Sequence, residues 1–166
     1  MKSRLKPLAF SLVELVIVVV IIGVIAAIAV PRISRGAKGA HESSVRGSLA
    51  GLRNAIDMYA AEHGGTFPGA DGQAATFLNQ LTKKTDAAGN VGTTAGVHIY
   101  GPYLRGGIPP LEVGPNKGAS EVLLGNTGPA VDEVQTTIGW VYNYTTGDII
   151  ANTDDADESG KTYDTY

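Results

Sequence analysis

Residues 10–30 read FSLVELVIVVVIIGVIAAIAV. The stretch is apolar on every face and lacks the alternation of a half-buried strand, so it reads as one helix. Its twenty-one residues would rise about 31 Å, against a bilayer core of about 30 Å. A fully buried helix of a large soluble protein reads alike, but 166 residues are too few to surround one. Membrane insertion is the expectation. From Leu12 to Val30 the only charge is Glu14.

Upstream lie Lys2, Arg4 and Lys6 with no acid among them, closed by Pro7. A basic leader before an apolar span argues for a cytoplasmic N-terminus and an external C-terminus. Arg32, Arg35 and Lys38 follow the span and weaken that asymmetry. Three simpler readings compete. Ala27-Ile28-Ala29 offers an Ala-x-Ala cleavage site, but the apolar core exceeds the usual 7–15 residues of a signal peptide. A plain single-span anchor leaves Glu14 without a purpose. A surface-lying amphipathic helix needs a polar face, and none exists.

Glu14 demands an account because an ionised carboxylate in hydrocarbon is costly unless it pairs or faces protein. It snorkels to the membrane edge, or it meets a cation on another subunit. Cleavage just before Phe10 would create such a cation, a new α-amine. At this point Ala9-Phe10-Ser11-Leu12-Val13-Glu14, behind a short basic leader and ahead of a long apolar run, resembles the processing signal of type IV pilins and type II secretion pseudopilins. The resemblance implies that a prepilin peptidase cuts between Ala9 and Phe10 and methylates the amine of Phe10. It also implies that Glu14 neutralises the amino terminus of a neighbouring subunit during assembly. The family usually places glycine before the cut, where this chain has Ala9. Loss of residues 1–9 removes three of thirteen basic residues and none of sixteen acids, which takes the formal charge from -3 to -6.

Composition excludes several classes. Hydrophobic residues reach 43% and charged ones only 17%, against about 25% charged in ordinary domains; the deficit lies in the span. With no cysteine, disulfides and thiolate chemistry are impossible. The acidic balance and the lack of a basic stripe argue against nucleic acid as a partner. No serine–histidine–acid pattern, phosphate loop or histidine cluster points to an enzyme.

Beyond the span, residues 31–63 read as an amphipathic helical stem. Gly23 and Pro31 interrupt the apolar helix. They mark either a plain helix end at the membrane surface or, as the resemblance implies, a helix that continues and softens between them in the filament. Patterning favours continuation. Ile33, Ala37, Ala40, Ser44, Gly47, Ser48 and Gly51 trace a small-residue stripe, and Leu49, Leu52, Ile56, Tyr59 and His63 follow at helical spacing. Gly36, Gly39, Gly47 and Gly51 lower helicity but permit close helix contact. Gly64-Gly65 and Pro68 end a helix of about 80 Å. His63 reads as a satisfied cap; His41 and His98 lack companions.

Residues 64–153 read as a small α/β head. Asp71 is expected to cap a helix over about 73–84, with Phe77, Leu78 and Leu81 on its apolar face. Residues 121–124, 131–134 and 138–144 are strand candidates. Thr145-Thr146-Gly147-Asp148 forms a hairpin turn, with a return strand over 148–151. The expected fold class is α+β and pilin-like. A long N-terminal helix, membrane-inserted in its first half, packs on a meander of three or four antiparallel strands, with Trp140, Tyr142 and Tyr144 at the junction. Pro109 and Pro110 keep residues 108–111 out of any central strand.

Residues 154–166 form an acidic tail. Asp155-x-Asp157-x-Ser159-Gly160 matches the opening of a calcium loop, but Tyr166 stands where the closing glutamate belongs. A solvated acidic tail explains the same residues. Pseudopilin heads commonly lack the disulfide of adhesive pilins and use calcium in a C-terminal loop, so the resemblance adds weight to calcium at Asp155, Asp157 and Ser159. It further implies a type II secretion pseudopilus subunit in the bacterial inner membrane, its head periplasmic or extracellular. Its partners would be copies of itself, an inner-membrane assembly platform and an assembly ATPase. A major type IV pilus subunit and a monomeric anchored binding module are the alternatives.

Overall fold

The computed structural model describes the backbone of residues 10–166 and the side chains of residues 10–29 and 38–166. The chain divides into two compact units, Met1–Ala40 and His41–Tyr166. One helix, α1 (Leu12–Glu62), begins in the first and ends in the second. It is helical through Gly23 and Pro31, so a plain helix end at the membrane surface does not occur. A single proline removes only one intrahelical hydrogen bond, and the helix runs on past it.

In the N-terminal unit, residues 12–29 form a stretch of mean hydropathy 3.2 with none of it buried. Val16, Ile17, Val18 and Val19, spread around the whole turn, are all about half exposed. This surface has no partner among the described residues.

The second unit is the head. It follows α1 with α2 (Ala74–Thr82), β1 (Glu121–Gly125), β2 (Ile138–Asn143), β3 (Ile149–Ala151) and a 3-10 turn at Tyr163–Thr165. The distal stretch of α1 inserts Val45, Leu49, Leu52, Ala55, Ile56 and Tyr59 into a core shared with Phe77 and Leu81 of α2 and Val122, Trp140, Tyr142 and Ile149 of the sheet. Each of the Val, Leu, Ile and Phe side chains among them contributes roughly 1.5–3 kcal/mol when fully buried. The stripe expected at Leu49, Leu52, Ile56, Tyr59 and His63 is buried throughout. Gly47 and Gly51 sit on the other side of the helix, where an added Cβ would meet nothing within 4 Å.

The fold class is α+β as expected, but the sheet is mixed and has three strands. β2 pairs antiparallel with β3 through the expected turn, where Asn143 Oδ1 accepts from the amides of Thr145 and Thr146. Gly147 adopts φ +81° there, and a Cβ would come within 2.4 Å of Phe67. β1, however, runs parallel to β2. A parallel pair needs a crossover of about a dozen residues, and residues 126–137 supply it. Residues 131–134, expected as a strand, belong to this crossover. Buried amides pin it: Asn143 Nδ2 donates to Thr127 O at 2.9 Å, and Asn152 Nδ2 donates to Asp132 O at 2.7 Å. These bonds satisfy loop carbonyls that a strand pairing would otherwise have taken. Every residue of β2 is buried, because the core covers the Trp140 face and the crossover lies by Val141.

α2 is shorter than expected and its N-cap is Gln73. Asp71 instead braces the entering turn, accepting from the Gln73 amide at 3.0 Å and the Thr76 hydroxyl at 2.7 Å. Residues 108–111 form no strand, and Pro109 O accepts the Trp140 indole proton at 2.8 Å.

Candidate functional site

The start of α1 has its own local chemistry. Ser11 is the N-cap: its Oγ accepts from the Val13 amide at 3.3 Å and its carbonyl from the Leu15 amide at 3.2 Å. Glu14 Oε2 reaches back and accepts from the Ser11 amide at 2.9 Å. The pair is a capping box, in which two amides that open the helix are satisfied reciprocally. A carboxylate in the first turn also meets the positive end of the helix dipole. Glu14 is therefore held at the helix start by its own chain, and it is exposed. Phe10, the next residue out, is 82% exposed. The sequence singles out Glu14 as a candidate assembly acid but not Ser11, for which the available signal is Ser-x-x-Glu before an apolar run. The cleavage position involves Ala9, which lies outside the described residues.

Residues 6–30 match the prokaryotic N-terminal methylation motif. This signal supports a type IV pilin-like protein; it implies processing by a prepilin peptidase and assembly into filaments. The motif and the single apolar helix together fit a single-pass, membrane-anchored protein. No curated protein and no solved structure matches the chain.

In the head, the sequence-predicted metal residues are gathered differently from a calcium loop. Asp157 is nearly buried, its side chain 3% exposed. Its Oδ1 accepts from the Ser159 amide (2.7 Å), the Ser159 hydroxyl (2.6 Å) and the Lys161 amide (3.0 Å). Its Oδ2 accepts from Arg46 Nη2 (3.2 Å) and the Tyr166 hydroxyl (2.6 Å). The hydrogen bonds from Ser159 and then Tyr166 hold the Asp157 carboxyl well below the usual carboxylate range. Asp155 has its side chain in solvent and joins the loop through its carbonyl, which accepts from the Tyr163 amide. Among the described residues no three His, Asp or Glu side chains stand where they could hold a metal ion. These residues therefore do not fit a calcium loop: both Asp157 oxygens are already met by donors of the chain, and the Asp155 side chain stands apart in solvent.

The other aromatic and histidine candidates are structural. Trp140 and Tyr142 are fully buried, and Tyr142 donates to Pro68 O at 3.1 Å. His63 is buried and stacks on Tyr59 with ring centroids 3.9 Å apart. Its Nδ1 lies 2.8 Å from Tyr59 O, one of the carbonyls that ends α1, and its Nε2 lies 3.0 Å from Thr85 Oγ1. Burial pushes the Tyr59 hydroxyl up to about 12. His41 lies 3.6 Å from Glu112 and His98 accepts from the Thr94 amide, so the three histidines stay apart in separate local contacts.

Proposed function

We propose that this chain is the structural subunit of a type II secretion pseudopilus. Its work is mechanical. The basic leader and the apolar part of α1 hold the precursor in the inner membrane with its head outside. A prepilin peptidase cuts between Ala9 and Phe10, and the apolar surfaces of many copies then bundle while the heads coat the filament. An inner-membrane platform and an assembly ATPase supply force and energy, so nucleotide chemistry belongs to them. The observation that carries this reading is the unburied apolar span that follows Phe10-Ser11-Leu12-Val13-Glu14 within the methylation motif.

The capping box sharpens the part of Glu14. Cleavage leaves the Phe10–Ser11 peptide intact, so the Ser11 amide still holds Glu14 Oε2 afterwards. The carboxylate is thus presented at the end of the helix, beside the new amine of Phe10 and open to that of a neighbour. Pairing it there removes an otherwise costly charge from the apolar bundle. The absence of cysteine favours the pseudopilus over an adhesive pilus, whose head commonly carries a disulfide-bounded loop.

Mass spectrometry of the assembled or membrane-held product tests the processing step. The expected first residue is N-methylated Phe10, and a start near Val30 would replace this reading with ordinary signal cleavage. Glu14→Ala tests the assembly step. The variant is expected to insert and keep its head folded while filament yield falls at least tenfold; normal yield would remove the pairing role.

A further inference from the structure

The C-terminal segment is tied to α1 by a set of contacts that converge on one buried carboxylate. Five donors meet the two oxygens of Asp157: three from Ser159 and Lys161, one from Arg46 and one from Tyr166. An ionised carboxylate offers about four lone-pair sites, so Asp157 is saturated. Arg46 Nη2 also donates to the Tyr166 hydroxyl at 3.0 Å, and its guanidinium lies 4.6 Å from the Tyr166 ring centroid. One helical turn before it, Glu42 Oε1 accepts from the Glu158 amide at 3.1 Å. Two turns after it, Arg53 donates to Tyr166 O at 2.9 Å and to Ile149 O at 3.1 Å. Glu42, Arg46 and Arg53 thus form a row along α1 that grips the tail at Glu158, Asp157 and Tyr166.

We infer that the Arg46 guanidinium supplies in this loop the positive charge that a divalent cation supplies in a calcium loop, so that docking of residues 156–166 on α1 does not depend on calcium. Calcium takes six to eight oxygen ligands. To reach Asp157 it would have to displace Arg46 and Tyr166 from Oδ2, or the closed turn at Ser159 and Lys161 from Oδ1. Arg46 meets the same electrostatic need from outside, because its own side chain is 59% exposed while that of Asp157 is 3% exposed. Its loss would leave the buried carboxylate without a cation, which is far costlier than losing an ordinary surface ion pair. Lys161 Nζ also lies over the Tyr166 ring, 5.0 Å from its centroid, but only the Arg46 guanidinium meets the Asp157 carboxylate, the Tyr166 hydroxyl and the ring together. Asp164 Oδ1 is a buried tail oxygen without a hydrogen-bond partner, but among the described residues no set of further carboxylates joins it. A device of this kind lets the subunit keep its tail docked whatever the calcium level around it.

The test uses the purified full chain in detergent micelles and reads the head alone, so its outcome is separate from whether filaments form. Thermal unfolding is followed by Trp140 fluorescence in EDTA and in about 5 mM calcium chloride. A site with the affinity of extracellular calcium modules would raise Tm by several degrees at that concentration; the expected shift is under about 1 °C. Hydrogen exchange over residues 156–166 is then compared in wild type, Arg46→Gln and Arg46→Lys. Exchange of the tail is expected to speed up about tenfold in Arg46→Gln and to recover partly in Arg46→Lys. Calcium raising the wild-type Tm by several degrees would overturn the inference and direct attention to Asp164. Unchanged tail exchange in Arg46→Gln would overturn it equally. Should Arg46→Gln fail to fold, the calcium arm on the wild-type chain still decides.

Discussion

Two stretches of the same helix face opposite chemical situations. Residues 12–29 of α1 are apolar on all sides and wholly unburied in the chain. Its distal stretch, from Val45 to Tyr59, is apolar on one side only and buries that side at exposures of 2% or less at Val45, Leu49, Leu52, Ile56 and Tyr59. The first finds no partner among the described residues and calls for cover by lipid or by other copies. The second finds α2 and the sheet. Periodicity separates them: a continuous apolar run demands an environment, whereas a stripe demands a neighbour. The polar groups follow the same division. Glu14 is held by the turn it belongs to. Arg46 and Arg53 are held by residues about a hundred positions away in sequence.

The comparison is broken most strongly by truncating each stretch in turn. Leu52→Ala should cost the head about 2–5 kcal/mol, because the cavity lies in a close-packed core. Val18→Ala removes a similar kind of group from the span and should leave head unfolding unchanged. Urea titrations followed by Trp140 fluorescence compare the two, and equal losses would mean that the span stabilises the head. A smaller loss is expected at the hairpin. Gly147→Ala puts a Cβ at φ +81° against Phe67 and should cost about 1–3 kcal/mol, read from the same titrations.

Gly51→Ala sharpens the contrast in the other direction. The position is helical and open, so the head should gain up to about 1 kcal/mol. If filament yield drops while head stability rises, the open side of the stem is an intersubunit surface; equal yield assigns no contact to that side.

The most local effect is expected from acid. The Asp157 carboxyl is depressed below its ordinary value, chiefly by Ser159 and then Tyr166. A group depressed on folding contributes stability above its unfolded pKa of about 3.9 and loses it as pH falls toward the lower folded value. Tail protection should therefore hold from neutrality to about pH 4 and fade only below it. Hydrogen exchange at residues 156–166 across that range checks the direction. Loss of protection between pH 7 and 5 would point to a different group.

Much of this was legible along the chain. The span, the buried stripe from Leu49 to His63, the Thr145–Asp148 turn and the burial of Trp140 and Tyr142 all rest on spacing of two to four residues. Ser11-x-x-Glu14 was equally local. The parallel pairing of β1 with β2 was not legible, because strands 121–125 and 138–143 carry the same apolar pattern in either direction. Asn143 and Asn152, which pin the crossover, look in sequence like ordinary turn residues. Asp157 was found as a candidate ligand, yet its occupants could not be.

What the sequence by itself determined is therefore the division of labour within α1: an apolar run that needs lipid or other copies, then a stripe that needs a head. That information is carried by nearest neighbours on one helix and survives without any tertiary contact. Only the tertiary structure decided the strand directions and the partner of Asp157. Those depend on which groups distant in sequence, such as Glu121 beside Ile138 or Arg46 on Asp157, are brought together, and hydrogen bonds act only at about 3 Å.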